Sequence, residues 1–298
     1  MITKQAHIEN REFIVLAKVK DYAVLAKTRL ASLVVFSALI GYLLAADGIS
    51  WIKIFALIIG GFLVTGSSNA INQIIEKDLD KLMARTKNRP LPDNRLSVTE
   101  ATIVAGFMGV IGLFVLFYFL NPLSGWLGLL SLVLYTALYT PLKRITPFAV
   151  LVGAIPGAIP PMLGWIAETG KFGFIPGILF LIQFMWQFPH FWAIAWKLDD
   201  DYSKAGFKLL PSPGGKDKAS AFQILIYTLF LIPISLFPVF YNISGYFAGI
   251  VVFLAGIWFL FKAYKVYSSC SDEQATKLMF ASFIYLPIIL FAYIFDKI

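Results

Sequence analysis

Nine runs of predominantly apolar residues, each long enough to cross a bilayer, recur between residues 24 and 295. They fall at 24–46, 51–72, 97–119, 123–141, 146–167, 174–196, 220–241, 245–263 and 277–295. A helix rises about 1.5 Å per residue, so roughly 20 such residues match the ~30 Å hydrocarbon core. In lipid only helices and closed barrels satisfy every backbone polar group, and a barrel would need short alternating segments that do not dominate here. The chain therefore reads as an all-α membrane protein forming one domain over 1–298. Only 14% of its residues are charged, against about a quarter in soluble domains. The single cysteine, Cys270, excludes an internal disulfide and a cysteine metal site. Residues 1–23 are too polar for a signal peptide and read as a cytoplasmic segment lying on the membrane surface.

Charge sorts by side. All of the 25 Lys and Arg except Lys53, Lys171 and Lys297 fall on the amino-terminal side of the nine-span arrangement. The positive-inside rule then places the amino terminus in the cytoplasm and the carboxyl terminus outside. That topology also accounts for the basic excess without a nucleic-acid partner. The acidic residues divide the same way: only Asp47, Glu168 and Asp296 of 17 lie opposite. Membrane insertion makes no such demand on Asp and Glu. A second cause is needed, and a metal-binding face would supply one.

Two polar connections, 73–96 and 197–219, hold most of these acids. If the second span continues as a helix, Asn72, Glu76 and Asp80 lie at i, i+4 and i+8 on one stripe, with Asn69 a turn earlier. An amide and two carboxylates offer hard oxygen ligands suited to Mg²⁺, which takes few protein ligands and completes its shell with water and phosphate oxygens. Arg85, Lys87 and Arg89 follow and can bind phosphate. A charge-mixed helix end held by Glu–Lys pairs would look similar, but polar groups at a membrane boundary mark function more often than decoration. The sixth span ends in Asp199-Asp200-Asp201-Tyr202 flanked by Lys197, Lys204 and Lys208. Three adjacent carboxylates repel unless a cation neutralises them, and the two clusters together could clamp one diphosphate. An ordinary solvated loop is the plainer alternative.

Two further features sit inside the apolar runs. His190, in Trp186-Gln-Phe-Pro189-His190-Phe191, could ligate an iron porphyrin, orient a substrate carboxylate or, more prosaically, hydrogen-bond a carbonyl freed by Pro189. The fifth span carries Gly153, Pro156, Gly157, Pro160, Pro161 and Gly164, a density that predicts a broken helix bordering a cavity. Just upstream, Tyr139-Thr-Pro-Leu-Lys143-Arg144 adds two cations on the cytoplasmic side.

These motifs resemble the UbiA-type intramembrane prenyltransferases, with their Asn-xxx-Asp/Glu-xxx-Asp motif after the second span, a second acidic motif after the sixth, and nine helices. The resemblance is closest to the members that prenylate haem. It rests on Asn72-Gln73-xx-Glu76-xxx-Asp80-xx-Met83-x-Arg85-Thr86-xx-Arg89-Pro90-Leu91, on Tyr139 to Arg144, on Pro160-Pro161-xx-Gly164-Trp165, on Trp186-Gln187-x-Pro189-His190-Phe191, and on Asp200-Asp201-Tyr202-xx-Ala205-Gly206. It runs from about Asp21 onward. Two departures are visible: Thr28 precedes Arg29 where proline is common, and Trp196 and Lys197 stand where the superfamily usually has another aspartate.

The resemblance implies transfer of a farnesyl group from farnesyl diphosphate to a vinyl group of haem b, with Mg²⁺ as cofactor, in a bacterial inner membrane. Metal would fall to Asn72, Glu76, Asp80, Asp200 and Asp201. Diphosphate release would be assisted by Arg85, Lys87, Arg89, Lys143 and Lys204. Substrates would be held by Arg29, Asn69, Asn72, Arg144, His190 and Tyr202. A downstream haem A synthase or terminal-oxidase assembly would receive the product. The rival readings are a relative acting on an aromatic or quinone-precursor acceptor, a transporter with its site at the fifth span, and a non-catalytic haem chaperone.

Overall fold

The computed structural model describes residues 16–298. The first part of the expected surface segment, residues 1–15, lies outside them. Among the described residues nine helices are long and apolar enough to span a membrane. They are α1 Thr28–Ala45, α2 Trp51–Ile75, α3 Val98–Leu120, α4 Pro122–Leu142, α5 Ala149–Thr169, α6 Phe174–Lys197, α7 Lys218–Phe240, α8 Tyr246–Ser269 and α9 Asp272–Phe295. The protein is an integral membrane protein.

Helix starts follow the local chemistry. Ser97, Asn121, Asp217 and Ser271 each accept the backbone N–H three residues on, at 3.0, 2.9, 2.8 and 3.3 Å, satisfying one of the amides a helix start leaves free. This explains why α9 begins at Asp272, earlier than hydropathy predicts: its first turns are polar and capped but still helical.

Consecutive helices pack side by side in a ring, and α9 closes it by packing against both α6 and α1. The most enclosed helices are α5 and α6, whereas α3 presents Ile103, Phe107, Val110 and Phe114 outward. An apolar outer face of this kind is solvated by lipid tails. Between α1 and α5 the backbones nearly touch. A Cβ on Gly164 would sit 1.8 Å from the Ala38 carbonyl oxygen, and one on Gly41 would sit 1.9 Å from that of Pro161. Small residues are what allow membrane helices this approach.

The expected break in the fifth span does not occur. Helix α5 is continuous through Pro156, Pro160 and Pro161. Its neighbours hold it closely: Gln187 Nε2 of α6 donates to the Ala154 carbonyl at 2.9 Å, and the glycine notches bring α1 into backbone contact. The irregularity lies elsewhere. The end of α4, Leu134–Tyr139, is a π-helical turn, a form often found at functional sites.

Contacts between connections fix the two ends of the bundle. At one end Lys297 Nζ donates to the Ala46 carbonyl at 2.6 Å and Lys53 pairs with Glu168 at 2.9 Å. At the other, Lys216 bridges to Asp272 at 3.0 Å and Asp201 reaches the 84–85 backbone. The helical segment 16–25 docks at this second end, where Lys18 Nζ and Tyr22 OH both donate to Glu100 (3.0 and 2.5 Å) and Arg95 pairs with Asp21 at 3.0 Å.

Candidate active site

Helix α2 ends at Ile75, Glu76 makes the junction, and a single turn Lys77–Asp80 follows. The backbone bonds Glu76 N–H to Asn72 O (3.0 Å) and Asp80 N–H to Glu76 O (2.8 Å) keep the three side chains on one stripe. Asn72, Glu76 and Asp80 are all buried, the last completely.

Each carboxylate is matched by a cation from another element. Glu76 is ion-paired with Lys143, just beyond α4, and Asp80 Oδ2 accepts from Arg89 at 2.6 Å. Asn72 Nδ2 donates to Thr140 Oγ1 at 3.1 Å, while its Oδ1 accepts from Lys27 Nζ at 3.4 Å. Lys143 also lies over the Tyr139 and Phe207 rings at 5.1 and 5.0 Å. Burial brings the Lys27 ammonium down to about 7, with Arg89 and Lys143 adding repulsion. Burial lowers Lys143 as well, against the pull of Glu76, and raises the Tyr202 hydroxyl.

These groups surround a cavity of about 240 Å³ whose walls include Arg85, Tyr135, Tyr139 and Tyr202. The π-helical turn of α4 supplies both Tyr135 and Tyr139, and Thr140 Oγ1 donates to the Tyr135 carbonyl at 2.8 Å. Beneath it a second cavity of about 270 Å³ extends into the bundle, mostly apolar. The two share Leu30, Tyr135, Tyr139 and Phe191 as walls, so they form a polar head above a greasy chamber. Its polar lining residues include Gln183, Gln187 and His190 on α6 and Thr65, Ser68 and Asn69 on α2.

The second acidic motif is arranged otherwise. Asp201 accepts the backbone N–H groups of Ala84 (3.0 Å) and Arg85 (3.1 Å) and pairs with Lys204 at 3.1 Å. These bonds hold its carboxyl below the usual carboxylate range. Asp201 is thus a strap between the two polar connections, and it places Arg85 at the cavity, its guanidinium 6.0 Å from the Tyr202 ring. Asp200 is exposed, 3.9 Å from Lys216, and does not line the cavity.

The residues brought together from the sequence reading are therefore Asn72, Glu76, Asp80, Arg85, Arg89, Lys143 and Tyr202. Asn69 and His190 line the lower chamber instead, Asn69 donating to the Ala26 carbonyl at 3.2 Å. Arg29, Lys87, Arg144 and Lys204 are exposed and outside both cavities. The sequence reading overlooked Lys27 and Tyr135. Lys27 carries a signal in the sequence, a basic residue within the first turns of the apolar run 24–46, which sidedness of charge alone also explains.

Among the described residues no three His, Cys, Asp or Glu side chains are close enough to hold a metal ion between them. The donors on α2 nevertheless suit a hard cation that takes few protein ligands. Glu76, Asp80 and Asn72 all offer oxygen, and Asp80 Oδ1 is buried without a hydrogen-bond partner.

A nine-helix ring, a buried acid–base head and an apolar chamber below it define an intramembrane enzyme for a substrate with an anionic head and a hydrocarbon tail. Residues 34–286 match the UbiA prenyltransferase family, and the chain belongs to it. Within that family it is 50% identical over 282 residues to the "Protoheme IX farnesyltransferase" of Christiangramia forsetii, covering 93% of both chains. Solved structures share the fold. One, from work on a digeranylgeranylglyceryl phosphate synthase, has a TM-score of 0.79 at 20% identity, covering 94% of this chain and 98% of the other. Another, a UbiA homologue from Archaeoglobus fulgidus bound to GPP and Mg²⁺, has a TM-score of 0.67 at 15% identity, covering 92% and 99%.

Proposed function

We propose that the protein transfers the farnesyl group of farnesyl diphosphate to a vinyl group of haem b, giving haem O and diphosphate. The observation that carries this reading is the junction of the two cavities: a head rich in cations and buried carboxylates that shares walls with a mostly apolar chamber lined from α1, α2, α4, α5, α6 and α9. The near-full-length similarity to relatives of that name supports the choice of acceptor. The acidic groups cluster at the end of the bundle rather than at mid-depth, which favours an enzyme over a transporter.

Asn72, Glu76 and Asp80 would hold Mg²⁺, whose contribution is to neutralise diphosphate oxygens as the C–O bond breaks. Lys27, Arg85, Arg89 and Lys143 donate to the departing diphosphate, the two arginines with fork geometry. Tyr135, Tyr139 and Phe191 wall off the junction, keeping bulk water from the allylic carbocation-like centre. The haem vinyl carbon attacks that centre, and water adds to the resulting cation with loss of a proton, leaving a hydroxyethylfarnesyl substituent. Asp201 holds Arg85 in place across the two connections. The head faces the cytoplasm of a bacterial inner membrane, with the carboxyl terminus outside, and the product passes to a haem A synthase or oxidase-assembly step.

The test is turnover of the purified full chain with Mg²⁺, farnesyl diphosphate and haem b, reading diphosphate release and prenylated haem. Glu76→Ala and Asp80→Ala should each cost about 100-fold or more in turnover. Release that requires an aromatic acceptor instead of haem b would refute the reading.

A further inference from the structure

Resting on the haem b reading, we propose that His190 holds the acceptor by ligating its iron through Nε2, and that Ser282 fixes the imidazole in the tautomer this requires. The Ser282 hydroxyl lies 2.6 Å from the Met279 carbonyl oxygen, which can only accept. Its single hydrogen is committed there. His190 Nδ1, 2.7 Å from the same hydroxyl oxygen, must therefore supply the proton of their shared bond. The ring is then a neutral imidazole with Nδ1–H and a lone pair at Nε2, the form that binds metals, oriented by a hydrogen bond from its other nitrogen.

The same residue clamps the ring a second way. Trp186 Nε1 donates to the Ser282 carbonyl at 3.1 Å, and the Trp186 indole stacks on His190 at 4.4 Å with the planes 16° apart. Phe283 closes the other side edge-on at 4.9 Å. Among the described residues Nε2 has no hydrogen-bond partner, yet it is not sealed off, and His190 lines the lower chamber. A fixed polar atom facing an apolar chamber is costly unless a ligand meets it. A hydrocarbon tail has nothing to offer it, and the diphosphate groups belong to the head, on residues 72–89. A porphyrin iron does. Held by its axial position, the macrocycle keeps its periphery, where the vinyl groups are, free to approach the prenyl carbon. His190 and Ser282 are positioning residues, making no bond to the reacting carbons.

The experiment uses the full-length protein with haem b and no farnesyl diphosphate, reading the iron–histidine stretch of the ferrous complex by resonance Raman. Wild type should show the mode, His7→Ala should keep it, and His190→Gln should lose it. The chain has only these two histidines, so the assignment follows even if His190 variants do not fold. His190→Gly should regain the mode with added imidazole. Ser282→Ala should bind haem b about tenfold more weakly and move the stretch to lower frequency, while Ser282→Thr keeps both. A wild-type complex that turns over without the mode, or a mode surviving in His190→Gln, overturns the proposal alone. Failure of wild type to bind or prenylate haem b would overturn the acceptor reading with it.

Discussion

The pair Glu76–Lys143 shows how much a single buried contact carries. Both side chains are buried at the mouth of the polar head, so neither charge can fall back on water. Removing one partner strands the other, a loss of about 3–5 kcal/mol for a fully buried pair. Lys143→Met is expected to lower the thermal midpoint of the purified protein markedly, whereas Lys143→Met with Glu76→Gln recovers much of it while remaining inactive. A double mutant no more stable than Lys143→Met alone would rule out the charge explanation. At this scale the sequence was partly legible. The spacing of Asn72, Glu76 and Asp80 placed them on one stripe because the helical register persists past Ile75. The direction of Asp200 was not, since it depends on how the turn Asp199–Lys204 docks after α6, and a run of three aspartates says nothing of which one points inward. Asp201 turned out to bind backbone amides, a role with no spacing signature.

Among elements, the notch between α1 and α5 is the tightest. Gly164→Ala would force the Cβ into the Ala38 carbonyl and part the two helices, with an expected cost of about 1–3 kcal/mol or more. Unfolding in mild detergent with increasing dodecyl sulfate reads it, and a variant as resistant as wild type would mean the helices are not in contact there. The helical segment 16–25 is held by a different device. Its Tyr22 hydroxyl and Lys18 ammonium both donate to the Glu100 carboxylate at the start of α3. Glu100→Gln, which keeps the shape and removes the charge, should speed amide exchange in 16–25, and exchange as slow as in wild type would mean that this contact does not hold the segment. Span existence was readable because hydropathy reports what lipid can solvate. The continuity of α5 was not: its prolines disfavour an isolated helix, and what encloses it here, the close packing of α1 and α6, comes from other elements.

For the whole molecule the sidedness of charge is the organising fact. Acidic and basic residues meet in the polar head, where Lys27, Arg85, Arg89 and Lys143 line the same cavity as Glu76 and Asp80. Cys270 lies between α8 and α9, at the same end as the polar head. A membrane-impermeant thiol reagent should therefore label it in inverted membrane vesicles and not in right-side-out ones, and the reverse pattern would turn the proposed orientation over.

Ring closure by α9 also has a meaning in time. The ribosome makes α9 last, and α9 brings Ser282, Phe283, Leu286 and Leu290 to the apolar chamber and its rim. The proposed diphosphate head, drawn from Lys27, α2, α4 and the two connections, is complete in sequence some 80 residues earlier, at Leu209. During synthesis the chain thus acquires the means to grip an anionic head before it has an enclosed place for a reactive carbocation. Only the emergence of the final span turns an open trough into a vessel, so on the proposed mechanism chemistry waits for the end of translation.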